Sequence, residues 1–126
     1  MNTSDCQNGA QLLKQLFQLS DAQLERYRKR LIKIANKAAQ RAKKVASASE
    51  GSSNAAHHAS VAALAASTAT KIDDVAYHTA VATDAAVYAA AYAVAHKDAE
   101  EARRTELRAQ ADDIRKIIPN MKGSKQ

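Results

Sequence analysis

An alanine-rich stretch from Ala55 to Ala95 constrains the fold of this chain more than any other feature. Alanine is the best helix former because it loses no side-chain entropy when a helix forms. It also buries little apolar area, so helices that meet through alanine gain stability by close approach, at about 8 Å between axes. The larger apolar residues of the stretch are then expected to be spaced contacts in the core. They are Val61, Leu64, Ile72, Val75, Val81, Val87 and Val94.

The length of this stretch predicts at least one break. An unbroken helix over 54–97 would be about 66 Å long, whereas the helix expected at 21–46 would be about 40 Å long. Thr70 and Asp73 have the spacing of a capping box, which favours a break at 70–73. The alternative is an unbroken helix that pairs with a second subunit.

Polar residues mark the other helix ends in this half of the chain. The serine-rich segment 47–54 predicts a loop, and Ser53 or Asn54 is the expected cap of the helix that follows. Asp98 is the expected cap of the last helix, which has acidic residues in its first turn and basic residues in its last. One continuous helix over 72–118 is the alternative.

The first half of the chain has a clear helical period. A short apolar helix is expected at 11–19, and Ser20 with Gln23 has the pattern of a capping box that begins a helix over 21–46. The apolar residues of this second helix recur every three or four positions, as the buried side of an amphipathic helix requires. They are Leu24, Tyr27, Leu31, Ile34, Ala35, Ala38, Ala42 and Val45.

These patterns predict an all-α protein. Three glycines, one proline and no strand-like alternation favour an up-and-down antiparallel bundle of four to five helices with alanine-rich packing. We expect a single bundle domain over 9–119, between a disordered leader at 1–8 and a disordered basic tail at 120–126. A core this thin predicts a homodimer or higher oligomer.

The positive charge of the chain lies in its first half. Residues 1–50 contain ten Lys and Arg against four Asp and Glu, which equals the +6 net charge of the whole chain. No acid occurs between Arg26 and Lys44. A stripe of this kind predicts a phosphate backbone or an acidic protein as partner, while a merely solvated helix surface is the simpler interpretation. The basic stripe consists of Arg26, Arg30, Lys33, Lys37, Arg41 and Lys44.

A second stripe lies within the alanine-rich stretch. Exposed tyrosines in it would predict a protein-recognition surface. The interpretation that we favour is that the rings fill gaps left by alanine in the core. The stripe consists of Tyr77, Val81, Asp84, Tyr88, Tyr92 and His96, and its candidate binding residues are Tyr77, Tyr88, Tyr92 and His96.

Nothing in the sequence predicts catalysis, a metal or a cofactor. His57 and His58 point about 100° apart on a helix, and the pairs Asp74–His78 and His96–Glu100 each supply two ligands at most. Phosphate-binding glycine loops and glycine-flanked serines are missing. We therefore expect a protein that is not an enzyme.

The location expected from the sequence is the cytoplasm. Cys6 is the only cysteine, which fits a reducing compartment. The first residues have no signal-peptide pattern, and the alanine-rich stretch is too polar to span a membrane. No membrane partner is expected.

Residues 75–120 resemble a group of bacterial alanine-rich helical proteins of the immunity type. The resemblance rests on the run DAAVYAAAYAVAH and on a charged last helix that ends before Pro-Asn. The matching residues of that helix are Gln110, Ile114, Arg115, Ile117 or Ile118, Pro119 and Asn120. Immunity proteins are small cytoplasmic partners that neutralise a toxin, so the resemblance implies a helical fold and a protein partner.

Two functional hypotheses follow. The first is a non-catalytic protein-interaction module, immunity-like in its role, that binds its partner through the basic stripe or the tyrosine stripe. The alternative is a nucleic-acid-associated protein that binds the phosphate backbone through the basic side of the helix over 21–46.

Overall fold

The computed structural model describes residues 11–119, and between these limits the chain is all-α, as the sequence predicts. It contains six α-helices and two short 3-10 helices, at Ala46–Ala48 and His96–Asp98. The predicted leader at 1–8 and tail at 120–126 lie outside the described residues. The six helices are α1 (11–17), α2 (Asp21–Arg26), α3 (Arg28–Lys44), α4 (Glu50–Thr68), α5 (Ile72–Tyr92) and α6 (Ala99–Ile117).

The helix predicted over 21–46 is two helices. Its start is as expected, because the Ser20 hydroxyl accepts a hydrogen bond from the Gln23 amide and the Gln23 side chain accepts one from the Ser20 amide. Tyr27 then interrupts the helix with φ −100° and ψ 11°. The apolar side continues past this interruption, with Leu24 and Leu31 both buried. The prediction of one helix was therefore wrong, and the number of helices rises to six.

Helix α4 begins earlier than expected, inside the segment predicted as a loop. Its cap is Ser49 rather than Ser53 or Asn54. The Ser49 hydroxyl accepts from the Ser52 amide, and the Ser52 hydroxyl accepts from the Ser49 amide, both at 3.0 Å. The Ser49 hydroxyl also donates to the carbonyl of Tyr92 at 2.8 Å, which joins the start of α4 to the end of α5.

The predicted break in the alanine-rich stretch is confirmed, since α4 ends at Thr68 and α5 begins at Ile72. The predicted capping box does not form, because Lys71 is the N-cap of α5 and makes no side-chain cap. Arg28 instead donates to the carbonyls of Ala69 and Thr70, at 3.2 and 2.8 Å.

The chain also breaks before α6, so a continuous helix over 72–118 is excluded. Helix α5 ends at Tyr92, and Asp98 is the N-cap of α6 without a side-chain hydrogen bond. The acidic first turn and basic last turn of α6 are as predicted. None of the helices in the described range is long and apolar enough to cross a membrane.

The buried side chains form two cores. The alanine core joins α3, α4 and α5, and the aliphatic core joins α1, α2, α3, α5 and α6. The alanine core consists of Ala35, Ala38, Ala39, Ala42, Ala55, Ala56, Ala59, Ala62, Ala63, Ala66, Ala82, Ala85, Ala86 and Ala89. The aliphatic core consists of Leu12, Leu16, Leu24, Leu31, Ile34, Val75, Ala76, Ala111, Ile114 and Ile118.

Several of the spaced contacts predicted for the alanine-rich stretch are on the surface instead. Val75 is buried, but Val61, Leu64 and Val94 are 52, 65 and 42 % exposed. Alanine alone occupies the apolar buried positions of α4, so its larger residues fall on the opposite side. The prediction was wrong for these three residues because an alanine helix has little amphipathic signal to mark its inner side.

Candidate interaction surfaces

Arg41 differs from the other residues of the predicted basic stripe because its charge is paired with acids of α6. Its guanidinium forms a bidentate ion pair with the Glu106 carboxylate, in which Nε donates to Oε1 and Nη2 donates to Oε2, each at 3.0 Å. Its Nη1 lies 2.9 Å from Asp113 Oδ2. Burial lowers the pKa of Arg41, but the hydrogen bond to Glu106 and the two negative charges outweigh it and raise the pKa above its ordinary value. Arg41 is a structural link between α3 and α6.

Gln110 extends this link to α5. Its side chain is fully buried, and its Nε2 donates to the Thr83 carbonyl at 2.9 Å and to Glu106 Oε2 at 2.8 Å. Its Oε1 is buried without a hydrogen-bond partner among the described residues. The sequence singles out Gln110 only through the resemblance, since Thr83 is on α5 and the Arg41 that holds Glu106 is on α3.

The other cations of the first half form an exposed basic surface along α2 and α3. Within residues 11–119 none of its members makes an ion pair. The Arg30 guanidinium lies 5.9 Å from the centre of the Tyr27 ring, the one cation–π contact of this surface among the described residues. The basic surface consists of Arg26, Lys29, Arg30, Lys33, Lys37, Lys43 and Lys44.

This basic surface contains no apolar contact area of its own. The apolar side of α3 is buried in the two cores, and none of the exposed large apolar residues of the described chain belongs to α2 or α3. The remaining exposed residues between the cations, Asn36 and Gln40, are neutral and polar. The surface therefore offers charge and hydrogen-bond donors, and little hydrophobic gain.

The tyrosines of the second stripe are exposed, contrary to the interpretation that their rings fill the core. Tyr77, Tyr88 and Tyr92 are 63, 47 and 53 % exposed. The rings of Tyr88 and Tyr92 stack at 6.1 Å with an interplanar angle of 21°. The alanines already fill the space between α4 and α5, so the rings lie outside it.

A groove of about 620 Å³ lies beside the rings of Tyr88 and Tyr92, between α4 and α5, and Tyr77 lies outside it on the same helix. Asn54 and His58 line it from α4, while Asp84, Tyr88 and Tyr92 line it from α5. We call the exposed tyrosines and this groove the aromatic surface. Its one acidic group, Asp84, lies between the turns that bear Tyr77 and Tyr88.

Gly51 makes room for the end of the aromatic surface. A Cβ at this position would lie 3.0 Å from Tyr92 Cγ and 3.2 Å from Tyr92 Cβ. From the sequence, Gly51 suggested only a loop. Its role becomes visible only once the start of α4 is placed against the end of α5.

His96 leaves the helical register of the stripe but stays close to it. It lies in the short 3-10 helix after α5, and with Tyr92, Val94 and Glu100 it lines a second depression. In the described part of the chain no three His, Cys, Asp or Glu side chains gather as a metal site would require. His57 and His58 contact each other, with ring centres 6.1 Å apart.

No protein-family model, curated protein or solved structure matches this chain. The resemblance of residues 75–120 to immunity-type proteins thus stays a prediction. What the two surfaces can bind follows from their own side chains and geometry.

Proposed function

We propose that this chain is a non-catalytic protein-interaction module whose partner binds the aromatic surface. One observation carries the proposal. All the exposed large apolar side chains of the described residues lie on α4, on α5 and just after α5. Exposed apolar groups that gather in one region mark interaction sites, and tyrosine is enriched among residues that dominate binding energy.

The chemistry of the aromatic surface indicates what its partner presents. Stacked tyrosine rings offer rigid area with hydroxyls at the rim, which suits an apolar patch with polar surroundings. Asp84 adds a negative charge beside the rings, so a Lys or Arg of the partner fits opposite it. Catalysis forms no part of the proposal.

The finer expectations from the sequence belong to the same proposal. They are an up-and-down order of the helices, a cytoplasmic location and an immunity-like role in which the partner is a toxin. The immunity-like role rests on the resemblance over 75–120. A second copy of the chain is the other candidate partner, because the alanine core gives each chain little stability of its own.

Affinity capture from the native cell tests the proposal when it is combined with surface variants. We expect the wild-type chain and a Lys33→Glu/Lys37→Glu variant to capture the same protein. A Tyr88→Ser/Tyr92→Ser variant should lose it, while Tyr88→Phe/Tyr92→Phe keeps it. With the purified partner, loss of both rings should weaken binding by about 30-fold or more, which corresponds to about 2 kcal/mol. Capture that is unchanged by the serine variant contradicts the proposal.

Light scattering separates the two kinds of partner. A mass of two chains for the wild type and one chain for Tyr88→Ser/Tyr92→Ser identifies a second copy on the aromatic surface. A mass of one chain for both, with unfolding independent of concentration, refutes the homo-oligomer and leaves a different protein as the partner.

A further inference from the structure

We propose that the basic surface of α2 and α3 binds the phosphate backbone of a nucleic-acid duplex without reading its sequence. This is a second binding function, separate from the aromatic surface. It rests on the spacing of the cations along α3, and on the lack of ion-paired acids and of exposed large apolar residues beside them in the described chain.

The cations of the basic surface are uncompensated, which distinguishes them from an ordinary solvated helix. On α6, Arg104 pairs with Glu100 and Arg115 pairs with Asp112, three or four residues away. On α3, Lys33 is four residues from Lys37 and from Lys29, and no acid lies three or four residues from Lys33 or Lys37. Like charges at this spacing destabilise a helix. A polyanion that neutralises them removes this repulsion as it binds.

The spacing of the cations suits a phosphate backbone. From Arg30 to Lys44 the surface extends about 21 Å along α3 at 1.5 Å per residue. A DNA duplex carries about one negative charge per 1.7 Å, so about twelve phosphates lie along that length. The phosphates along this length therefore outnumber the exposed cations of α3, so each cation can contact a phosphate wherever α3 lies along the duplex.

The composition of the surface favours phosphate over an acidic protein. Protein interfaces have an apolar centre and contain few lysines. The basic surface has five lysines and no exposed large apolar residue. It also disfavours a membrane, because the apolar side of α3 that would insert into lipid is buried in the two cores.

A duplex fits better than a single strand. Proteins that bind single strands stack the bases on aromatic side chains. On this surface the one nearby ring is that of Tyr27, which is half-buried below Arg30. Lysines are point charges that contact phosphates in many geometries, which predicts binding that is independent of base sequence.

The test is fluorescence anisotropy with a labelled duplex of 20 base pairs, in DNA and RNA forms, over a range of salt concentrations. One phosphate contact for each of the five lysines of the surface predicts a slope of about −4.5 for log Kobs against log salt. Lys33→Glu/Lys37→Glu should make the slope shallower by about 2 and weaken binding at least about tenfold at low salt. The matched control, Lys97→Glu/Lys116→Glu, changes the net charge equally and should stay within about threefold of wild type.

The outcomes separate this inference from the proposed function. Binding of either duplex form that is lost only with Lys33→Glu/Lys37→Glu supports the inference, and the preferred form identifies the natural duplex. Tyr88→Ser/Tyr92→Ser should bind duplex as the wild type does, whether or not it loses its protein partner. No binding at 50 mM salt, equal loss in the control, or tighter binding to single strands, acidic proteins or anionic vesicles overturns the inference.

Discussion

The alanine core and the aliphatic core share α3 and α5 but hold them by different means. In the aliphatic core, Leu, Ile and Val side chains fill the space between five helices. In the alanine core, three helices meet through methyl groups, and α6 contributes none of the buried residues. Beside the alanine core α6 is held instead by the link from Arg41 to Glu106 and Asp113.

This difference predicts that the two ends of α3 are destabilised by opposite changes in side-chain size. Where large side chains fill the core, stability comes from the area they bury, and removing atoms leaves a cavity. Where alanines meet, stability depends on the short distance between helices, and adding atoms forces the helices apart. The variants below test this contrast in order of expected effect.

The largest effect is expected from Ile114→Ala in the aliphatic core. Ile114 is fully buried, and losing its methylenes should lower the free energy of unfolding by about 4 kcal/mol. Urea denaturation measures the change. Leu64→Ala, which removes a comparable side chain from an exposed position, should cost less than about 0.5 kcal/mol. Equal costs for the two variants would contradict the assignment of the core.

Arg41→Ala should have the next largest effect. It leaves the buried carboxylates of Glu106 and Asp113 without their cation, at a cost of about 3 kcal/mol. The matched control is Arg104→Ala, since Arg104 is an exposed arginine that is also ion-paired. It should change stability by less than about 1 kcal/mol. A cost for Arg41→Ala no greater than that of the control would show that the link to α6 is dispensable.

Ala59→Leu tests the alanine core in the opposite direction. Ala59 is fully buried between closely packed helices, so the larger side chain should destabilise the fold by about 2 kcal/mol although it is more hydrophobic. Ala22→Leu, at an exposed position of α2, is the control and should be nearly neutral. If thermal denaturation shows Ala59→Leu to be stabilising, the helices are not in close contact there.

The smallest effect concerns the break between α4 and α5, where Arg28 donates hydrogen bonds to the carbonyls of Ala69 and Thr70. Glu25 orients Arg28 through an exposed ion pair, and the hydrogen bond from Arg28 lowers the pKa of Glu25 below 4.5. A lowered pKa contributes stability above about pH 4.5, which is lost as the pH falls through the lowered value. The melting temperature of the wild type should therefore be slightly higher than that of Glu25→Gln at pH 7, by a margin that shrinks as the pH falls below about 4.5. A difference in melting temperature that is larger at pH 3 than at pH 7 would contradict a lowered pKa of Glu25.

Local signals in the sequence predicted the parts of the fold that depend on neighbouring residues. The capping box of Ser20 and Gln23 and the break at 70–73 are of this kind. The interruption at Tyr27 was missed because one altered residue leaves the apolar period on either side intact. Ser49 was missed because several residues in 47–54 satisfy the rules for a cap equally well.

The candidate surfaces were less predictable because they depend on distant parts of the chain. Arg41 has the spacing of its basic neighbours, and only its contact with Glu106, on α6, separates it from them. The exposure of the tyrosines depends on how completely alanine fills the space between α4 and α5. Neither fact is encoded by spacing within one helix.

The alanine core also determines how the molecule responds to temperature. The heat capacity of unfolding, ordinarily about 12–15 cal/mol/K per residue, increases with the apolar area that becomes exposed. Methyl groups expose little area when α3, α4 and α5 separate, so this part of the chain adds little to that heat capacity. We therefore expect a broad, shallow stability curve, in which the cold and warm limits of the folded state lie further apart than in an equally stable protein with a larger heat capacity of unfolding.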